Sequence, residues 1–368
     1  MVIVLGGVFR DRCLRAIELM KGRGVDGLLL FPGVNLYYLT GFMIGLSERP
    51  SVALIPFDGE AVLIVPELER ELRGQRPWIK CVEVWREWED PFKLIADNIR
   101  RRGLASGRIG VCERAPWGWV KRLESLLPDV EFVDVTDIVN SLRMVKSGDE
   151  LEKIRAACRI IGRAVEAGFE SLEDGLTELE LNFIIMDEVK RLGGLPAFCI
   201  VLFGERAALP HGSPSKRELR RGDAVLVDAG AIVDGYYSDI TRTVIFGEPS
   251  GRQRRIWETV LKANRAAFNY VRPGVTCESV DGVARRIIEE AGFGEYFIHR
   301  LGHGIGLEVH EHPYIVKGNK LNLKAGMTFT IEPGIYIVGE IGVRIEDTVL
   351  CTRDGCVSLT EMERSITP

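Results

Sequence analysis

Two patterns of apolar and polar positions divide the chain. Over roughly the first 135 residues, short β-rich apolar runs alternate with amphipathic segments. The runs predict strands at VDGLLLF (25–31), VALIPF (52–57), AVLIVP (61–66), CVEVW (81–85), RIGVC (108–112) and VEFVDV (130–135). The amphipathic segments predict helices at DRCLRAIELMKGRG, PFKLIADNIRRRG and APWGWVKRLESLLP, which end at glycine or proline. This alternation is typical of an α/β domain.

A second pattern begins at about residues 145–149. Ser147 followed by Glu150, and Thr177 followed by Glu180, are capping boxes that predict the starts of two helices. Strands and hairpins follow, and strands also close the chain after a second helix pair, predicted at 252–271 and 277–291. The order of helices, strands, helices and strands predicts a duplicated helix-and-sheet unit. We therefore predict an α/β (α+β) protein with domains 1–140 and 145–368.

Composition and charge limit the domain count, the class of partner and the cellular compartment. The 368 residues are long for one domain, and a net charge of −5 without a basic stripe argues against a nucleic-acid partner. The opening MVIVLGGVFRDR is too short an apolar run for a signal peptide, and no later run reaches membrane-spanning length. Eight cysteines without a CxxC pair predict reduced thiols in a cytoplasmic protein. Cys351 and Cys356 flank a turn, so a disulfide across a hairpin stays open as an alternative.

Candidate chemistry is concentrated in the second domain. Oxygen ligands with one imidazole suit divalent metals such as Mn²⁺, Co²⁺ or Zn²⁺. Four carboxylates carry too much negative charge for one dication, which favours two, and paired metals about 3.5–4 Å apart activate water. The sequence therefore predicts a hydrolase. The candidate ligands all lie in strand-like segments and are Asp228, Asp239, His303, Glu332 and Glu346.

The first carboxylate pair lies in VLVDAGAIVDGYYSDITRTVIF, where Asp234-Gly235 is a hairpin signal. A Val233-Asp234 loop would place Asp228 opposite Asp239. An Asp234-Gly235 loop would place Asp239 opposite Gly230 and diagonal to Asp228. Both registers put the two carboxylates on one face of the sheet, about 5–8 Å apart.

The second pair lies in MTFTIEPGIYIVGEIGVRIEDTVL. A turn centred on Gly339 would set Glu332 opposite Glu346. Arg344, two residues from Glu346, would share that face. We expect its guanidinium to neutralise part of the carboxylate cluster and to hold one glutamate by a bidentate bond.

The segment HRLGHGIGLEVHEHP carries four of the five histidines, and the first 140 residues carry none. This distribution argues that the second domain is the catalytic half. Glycines flank His303 on both sides, which argues against a regular helix and for a backbone packed closely against a neighbour. These glycines are Gly302, Gly304 and Gly306.

At these residues the sequence resembles the pita-bread metallopeptidases, namely aminopeptidase P, prolidase and, more distantly, methionine aminopeptidase. The motifs are VLVDAG, SDITRT, LPHG, GHGIGLEVHE, TIEPGIY and GVRIEDTV. The resemblance covers roughly residues 145–368 strongly, and the preceding part is similar to the creatinase and prolidase type of amino-terminal domain. It implies a mixed α/β creatinase-like domain followed by a pita-bread catalytic domain with pseudo-twofold helix and sheet repeats.

The resemblance also implies roles. Asp228 would chelate one metal, Asp239 and Glu346 would bridge two, and His303 and Glu332 would bind the other. Glu332 would in addition move the proton of the attacking water.

Histidines and two further residues complete the implied site. His310 would donate to the developing oxyanion, while His211 and His299 would line the substrate site. Thr241 and Arg344 would support the ligands, with Arg344 also a candidate substrate-binding residue. His312 is as consistent with a surface position as with a role.

One position departs from the pattern. Many prolidase-like sequences resemble HExPR after the second histidine, where an arginine can grip the substrate's terminal carboxylate. Here the string is HEHPY, with Tyr314 at that place, which can hydrogen-bond to substrate but carries no charge. The departure weakens the dipeptidase interpretation. It leaves longer Xaa-Pro peptides, or a charge supplied by Arg206 or another basic residue.

We therefore expect a cytoplasmic, homodimeric metallopeptidase that uses two Mn²⁺ or Co²⁺ ions, with Zn²⁺ as an alternative. Its substrates would be Xaa-Pro dipeptides or short proline-containing peptides, since a prolyl bond lacks an N–H and needs a dedicated site. Apolar residues of LPAFCIVLF (195–203) would help form the proline pocket. Two alternatives are a pita-bread module that binds peptides or partners without chemistry, and a creatinase-like hydrolase of a small amidine.

Overall fold

A computed structural model describes residues 5–75 and 78–368 of the chain. The apolar opening MVIV lies outside the described residues. The chain divides into two compact units, Met1–Arg143 and Met144–Pro368. Among the described helices, none has both the length and the apolar character that crossing a bilayer requires.

The first unit is built on one six-stranded mixed sheet with the strand order β4-β3-β2-β1-β5-β6. All the strands predicted for this part of the chain are confirmed. They are β1 (Gly27–Leu30), β2 (Val52–Pro56), β3 (Val62–Pro66), β4 (Cys81–Trp85), β5 (Arg108–Val111) and β6 (Glu131–Asp134). Because β1, β2 and β3 are buried along their whole length, their sequences are continuous apolar runs without alternation.

Helices flank this sheet. They are α1 (Leu5–Lys21), α2 (Val34–Thr40), α3 (Pro91–Arg101), α4 (Trp117–Leu126) and α5 (Thr136–Met144). The three predicted helices correspond to α1, α3 and α4. Asp90 caps α3 by accepting from the Phe92 amide, and Pro91 occupies the first turn, where no amide donor is needed. The sequence analysis did not predict α2 or α5, which are only 7 and 9 residues long.

Four helices in two pairs organise the second unit. They are α6 (Gly148–Glu170), α7 (Glu178–Arg191), α8 (Gly251–Tyr270) and α9 (Cys277–Glu290). The predicted capping boxes at Ser147 and Thr177 are both formed, which confirms the predicted starts of α6 and α7. Ser250 with Gln253 forms a third capping box at the start of α8, a signal that the sequence analysis did not use.

The strands of the second unit form three sheets. After the first helix pair come β7 (Leu195–Phe203), β8 (Ala224–Val233), β9 (Tyr236–Tyr237) and β10 (Ile240–Ile245). After the second pair come β11 (Gly302–Gly304), β12 (Glu311–Ile315), β13 (Thr328–Ile331), β14 (Gly334–Ile337), β15 (Ile341–Arg344), β16 (Asp347–Cys351) and β17 (Cys356–Ser358). The sheet orders are β10-β8-β7 with β9 on β8, β12-β11-β13-β16-β17, and β14-β15.

The predicted order of helices, strands, helices and strands is therefore confirmed. Each helix pair buries its apolar face against the strands that follow it: Ile161 and Ile185 pack with Val227, whereas Val260 and Ala284 share a core with many buried side chains of the second strand set.

Cys351 and Cys356 face each other across β16 and β17, as the hairpin alternative required. All eight cysteines are nevertheless free thiols, so the disulfide alternative is not formed.

Candidate functional site

The first carboxylate pair lies on the β8–β10 hairpin, which adopts the second of the two predicted registers. Ile232 pairs with Tyr237 and Thr241 pairs with Asp228, so the loop is Asp234-Gly235. Both loop residues have positive φ, 48° and 83°, as a two-residue turn between twisted strands demands. In this register Asp239 lies diagonal to Asp228 on the same face.

Gly230 makes this arrangement fit. A Cβ at Gly230 would lie 2.5 Å from Phe198 Cε1 and 2.6 Å from Ser238 O. No larger side chain fits there, so Asp239 approaches the strand without a side chain opposite it.

The second pair lies on a long hairpin. Ile337 pairs with Ile341 and Ile331 pairs with Asp347, which confirms the turn centred on Gly339. The same register carries Glu332 and Glu346 to matching positions on the two arms.

His303 lies at the centre of the three-residue strand β11, confirming the prediction that its flanking glycines exclude a helix and admit close backbone packing. A Cβ at Gly302 would lie 1.9 Å from Thr330 O, and one at Gly304 would lie 2.1 Å from His312 O. The Nδ1–H of His303 donates to Gly304 O at 3.1 Å, which leaves the Nε2 lone pair available to a ligand. Burial, with the neighbouring His310, lowers the pKa of His303 well below its usual range, so the ring is neutral.

The candidate ligands converge although they come from two different sheets. One ligand atom each from Asp239, His303 and Glu346 lie within 4.8 Å of one another. His303 Nε2 is 3.3 Å from Glu332 Oε1 and 3.6 Å from Asp239 Oδ2. Three of the predicted ligands therefore meet at one point in the second unit. Glu332 adjoins His303, and Asp228 lines the same cavity.

The electrostatics of this cluster fit divalent cations. Burial and the carboxylates of Glu346 and Asp228 raise the pKa of Asp239 well above its usual range. Burial raises the pKa of Glu332 to about 7, and burial with Glu332 and Asp228 raises the pKa of Glu346. Among the described residues, no hydrogen-bond donor reaches Asp228 Oδ1, Asp239 Oδ1 or Glu346 Oε1. Buried oxygens without donors, on carboxylates that repel one another, are satisfied by bound dications.

Arg344 neutralises part of the cluster, as expected, but it does so through a different partner. Its Nη2 donates to Asp228 Oδ2 at 2.5 Å, its Nε to Thr241 Oγ1 at 2.9 Å and its Nη1 to the Tyr336 hydroxyl at 2.8 Å. The expected bidentate bond to a glutamate is therefore wrong: Glu346 accepts from Thr241 at 2.7 Å instead. Each guanidinium nitrogen already serves a protein oxygen, so Arg344 orients ligands from beside them.

A second buried arginine joins the two sheets behind the ligands. Arg242 on β10 pairs with Asp347 on β16 at 2.9 Å, and both side chains are almost completely buried. Asp347 also accepts from Asn264 and Arg364. The cations of Arg242 and Arg364 keep the pKa of Asp347 below the usual value despite burial. The network fixes the backbone next to Glu346, whose carbonyl accepts from Arg242.

A cavity of about 890 Å³ opens onto the cluster. Besides the five candidate ligands and Arg344, three of the predicted substrate residues line it: His211, His299 and His310. Phe198 and Ile200 of the predicted apolar stretch also line it. The other lining residues, which the sequence analysis did not single out, are Pro210, Ile298, Arg300 and Val309.

The histidines of this cavity differ in whether their ring nitrogens are free to bond a substrate. His310 stacks edge-on to His303 with ring centroids 4.2 Å apart and remains exposed to solvent, as does His211. His299, in contrast, donates from Nδ1 to Arg300 O at 2.7 Å and accepts at Nε2 from the Tyr336 hydroxyl at 2.9 Å. Both of its nitrogens are engaged, so His299 fixes Tyr336 and leaves hydrogen bonding to substrate to the other two.

Three residues near the site were assigned less surely from the sequence. Tyr314 lies outside the cavity lining, with its ring 4.6 Å from that of His312. Arg206 donates from Nε to the buried Glu178 at 3.0 Å and from Nη2 to Ser213 O at 2.8 Å. These bonds hold Arg206 against Glu178 and the loop that carries His211. Arg206 therefore does not supply the positive charge that Tyr314 lacks.

Comparison with known proteins finds family matches for both parts of the chain. The model of metallopeptidase family M24 matches residues 152–353, and that of the creatinase/prolidase N-terminal domain matches residues 12–145. The Xaa-Pro dipeptidase of Pyrococcus horikoshii is 38% identical over 362 residues, which are 98% of this chain and 99% of that protein.

Solved structures of peptidases are similar to this chain over nearly its whole length. The dipeptidase PepE from Mycobacterium ulcerans is similar with a TM-score of 0.93 and 37% identity, over 99% of this chain and 98% of that one. The X-Pro aminopeptidase from Thermotoga maritima is similar with a TM-score of 0.85 and 34% identity, over 96% of this chain and 98% of that one.

Proposed function

Because the chain belongs to metallopeptidase family M24 and has the creatinase/prolidase type of amino-terminal domain, we propose that it hydrolyses the peptide bond that precedes proline. The predicted combination of a creatinase-like domain with a pita-bread catalytic domain is confirmed by these matches and by the structural relatives. The proposal for the reaction rests on one observation: a carboxylate and imidazole cluster and several apolar side chains line one cavity.

Five side chains would hold two metal ions in this proposal. Asp228 would bind one ion, Asp239 and Glu346 would bind both, and His303 and Glu332 would bind the other. The oxygens without donors on Asp228, Asp239 and Glu346 support this division. Bound divalent ions would supply Lewis acidity and a water of lowered pKa.

Two residues would move or stabilise charge. Burial raises the pKa of Glu332 to about 7. Glu332 would take the proton of the attacking water and pass it to the leaving nitrogen. His310 would donate to the oxygen of the scissile carbonyl as negative charge develops there. His211, exposed on the opposite loop and lining the same cavity, would help place that carbonyl.

The preference for proline would come from the apolar side of the cavity. Phe198, Ile200, Ile298 and Val309 offer packing surface and no hydrogen-bond acceptor on their side chains. A prolyl nitrogen carries no hydrogen, so it loses nothing against such a wall, whereas an ordinary amide would leave its N–H unpaired.

Three further parts of the proposal concern the metal, the cellular setting and the oligomeric state. Mn²⁺ or Co²⁺ suits the oxygen-rich ligand set best, and Zn²⁺ is the alternative. Eight free thiols fit a reducing, cytoplasmic setting. A homodimer is proposed from the family resemblance, and sedimentation equilibrium tests it.

The experiment compares substrates that differ at one feature. Chelated protein is reloaded with Mn²⁺, Co²⁺ or Zn²⁺ and given Met-Pro, Met-Pro-Ala, Met-Ala and Met-(N-methyl)Ala. We expect cleavage of the prolyl substrates only after metal is added. Met-(N-methyl)Ala shares the tertiary amide but lacks the ring, so it separates the missing N–H from ring packing.

Equal rates on Met-Pro and Met-Ala would refute the proline preference. Protein that binds no metal and is not activated by it would instead favour a pita-bread module that binds peptides without chemistry. Hydrolysis of an amidine such as creatine, without peptide cleavage, would favour the creatinase-like alternative. Glu332→Gln serves as the control, because it keeps the side-chain shape but accepts no proton.

A further inference from the structure

We propose that Arg300 binds the terminal carboxylate of the substrate and thereby makes this enzyme a dipeptidase. The inference rests on the proposed prolyl-peptidase function and specifies its substrate class. In this proposal Arg300 supplies the positive charge that an arginine provides in many prolidase-like sequences and that Tyr314 lacks.

Arg300 is positioned by its neighbours on the rim of the metal site. It lies three residues before His303, and its guanidinium carbon is 4.3 Å from the centroid of the Tyr314 ring. Tyr314 pairs directly with His303 across β11 and β12. Residues directly opposite in an antiparallel pair point to the same face, with Cα atoms about 4.5–5.5 Å apart. The cation therefore lies on the face from which His303 reaches the candidate metals.

Arg300 is also uncommitted. Among the described residues, no carboxylate forms an ion pair with its guanidinium, which lies over the Tyr314 ring. The other arginine that lines the cavity, Arg344, is already bonded to Asp228. A half-buried guanidinium with free N–H groups in a partly apolar cavity is a strong site for a planar carboxylate.

Arg300 lines the same cavity as His310 and Glu332. A substrate carboxylate bound at Arg300 would therefore lie in the cavity that holds the scissile bond. This proximity matches a dipeptide, in which only one residue separates the scissile carbonyl from the terminal carboxylate.

Chain length gives the discrimination. Each further residue moves the terminal charge by up to about 3.3–3.6 Å. A tripeptide would present a neutral peptide carbonyl to Arg300 and would leave the guanidinium without a charged partner. Tyr314 contributes by holding the guanidinium over its ring through a cation–π contact.

The test compares Met-Pro with Met-Pro-amide, which differ only in the terminal charge. In the metal-loaded wild type we expect kcat/KM for Met-Pro to exceed that for the amide by about 10²-fold. Arg300→Met should lower kcat/KM for Met-Pro by about 10²-fold, mostly through KM, and should leave the amide within about threefold. Arg300→Lys should keep part of the preference. Arg265→Met, at an exposed position on α8, is the matched control.

A charge relocation sharpens the result. Arg300→Ser with Tyr314→Arg moves the cation across the strand pair, and we expect it to restore a preference for the free acid. Equal loss on both substrates in Arg300→Met, or an equal rate on both in the wild type, would overturn the assignment.

A binding measurement keeps the two proposals separable. N-acetyl-L-proline and its amide are titrated into metal-free protein, in which no ion captures the carboxylate. Weaker binding of the acid by Arg300→Met, with no change for the amide, supports the anchor even if the wild type hydrolyses no prolyl peptide. Unchanged binding of the acid would overturn the anchor, whereas failed hydrolysis alone would overturn only the reaction.

Discussion

Lys146 and Glu311 form an ion pair whose removal should be costly. Lys146 Nζ lies 2.6 Å from Glu311 Oε1, and the two side chains are only 1% and 4% exposed. Glu311 follows His310 and pairs with Gly304, so this pair braces the loop between the two histidines of the site. A Cβ at Gly306 would lie 2.7 Å from Glu311 Oε1, which shows how closely the loop wraps around the pair.

The expected magnitude follows from distance and burial. At 2.6 Å and an effective dielectric constant of about 20, the attraction is about 6 kcal/mol, much of which offsets the desolvation of two charges. Lys146→Met removes the cation that lies 2.6 Å from the buried Glu311 carboxylate. We expect it to lower the free energy of unfolding of the second unit by about 3–5 kcal/mol.

The assay is urea-induced unfolding followed by circular dichroism, together with hydrogen exchange of the peptide that spans residues 300–315. Lys320→Met is the matched control, because the Lys320–Glu278 pair is 3.1 Å long but the lysine is 81% exposed. Its removal should cost less than about 1 kcal/mol. The double variant Lys146→Met/Glu311→Leu should cost less than the sum of the two single changes, since neither charge is then left alone.

Two results would refute this reasoning. The first is a cost below about 1 kcal/mol for Lys146→Met, which would mean that the Glu311 carboxylate does not depend on the lysine for compensation of its charge. The second is strict additivity in the double-mutant cycle. Slower exchange in residues 300–315 of the variant would likewise contradict a bracing role for the pair.

Three further predictions concern the site. Asp239→Asn removes a charge proposed to be shared by both metals, so metal affinity should fall by more than about 10²-fold by calorimetry, and unchanged affinity would contradict the ligand set. His310→Ala should lower kcat by about 10²–10⁴-fold with metal content unchanged, while His312→Ala should not; loss of metal in His310→Ala would show that His303 is not the sole imidazole ligand. His299 has its pKa lowered by burial from 6.5 to about 4. As pH falls from about 6.5 to about 4, the His299 ring takes up a proton in the unfolded state before it does so in the folded state. The stability contributed by the neutral ring is therefore lost across that pH range. Relative to His299→Gln, the wild type should lose about 3 kcal/mol there in the urea unfolding free energy, and parallel pH profiles would contradict this.

The elements of this protein are largely encoded locally. Apolar runs of the first unit became the six strands of its sheet because a strand buried on both faces needs no alternation. Ser147 and Thr177 begin helices because a capping box satisfies backbone donors within four residues of sequence. Short helices such as α2 escaped prediction because seven residues carry too little periodicity to distinguish from a loop.

The candidate ligands were also predicted from the sequence. Asp228 with Asp239, and Glu332 with Glu346, lie on hairpins whose turns fix which side chains share a face. Hairpin pairing is a local property once the turn is known. The sequence left the first register open, since Val233-Asp234 and Asp234-Gly235 both make acceptable loops. The left-handed conformation of Asp234 and Gly235 decided it.

The partners of the charged side chains were settled only by tertiary structure. Arg344 bonds Asp228, 116 residues away along the chain, although its own strand suggested a glutamate. Arg206 is held by Glu178, and Arg300 lies over Tyr314. Sequence determines which residues carry charge and which face of a strand or helix they occupy, because those follow from backbone periodicity. It does not determine which charges meet, because a guanidinium bonds whichever oxygen the packing of separate sheets brings within about 3 Å.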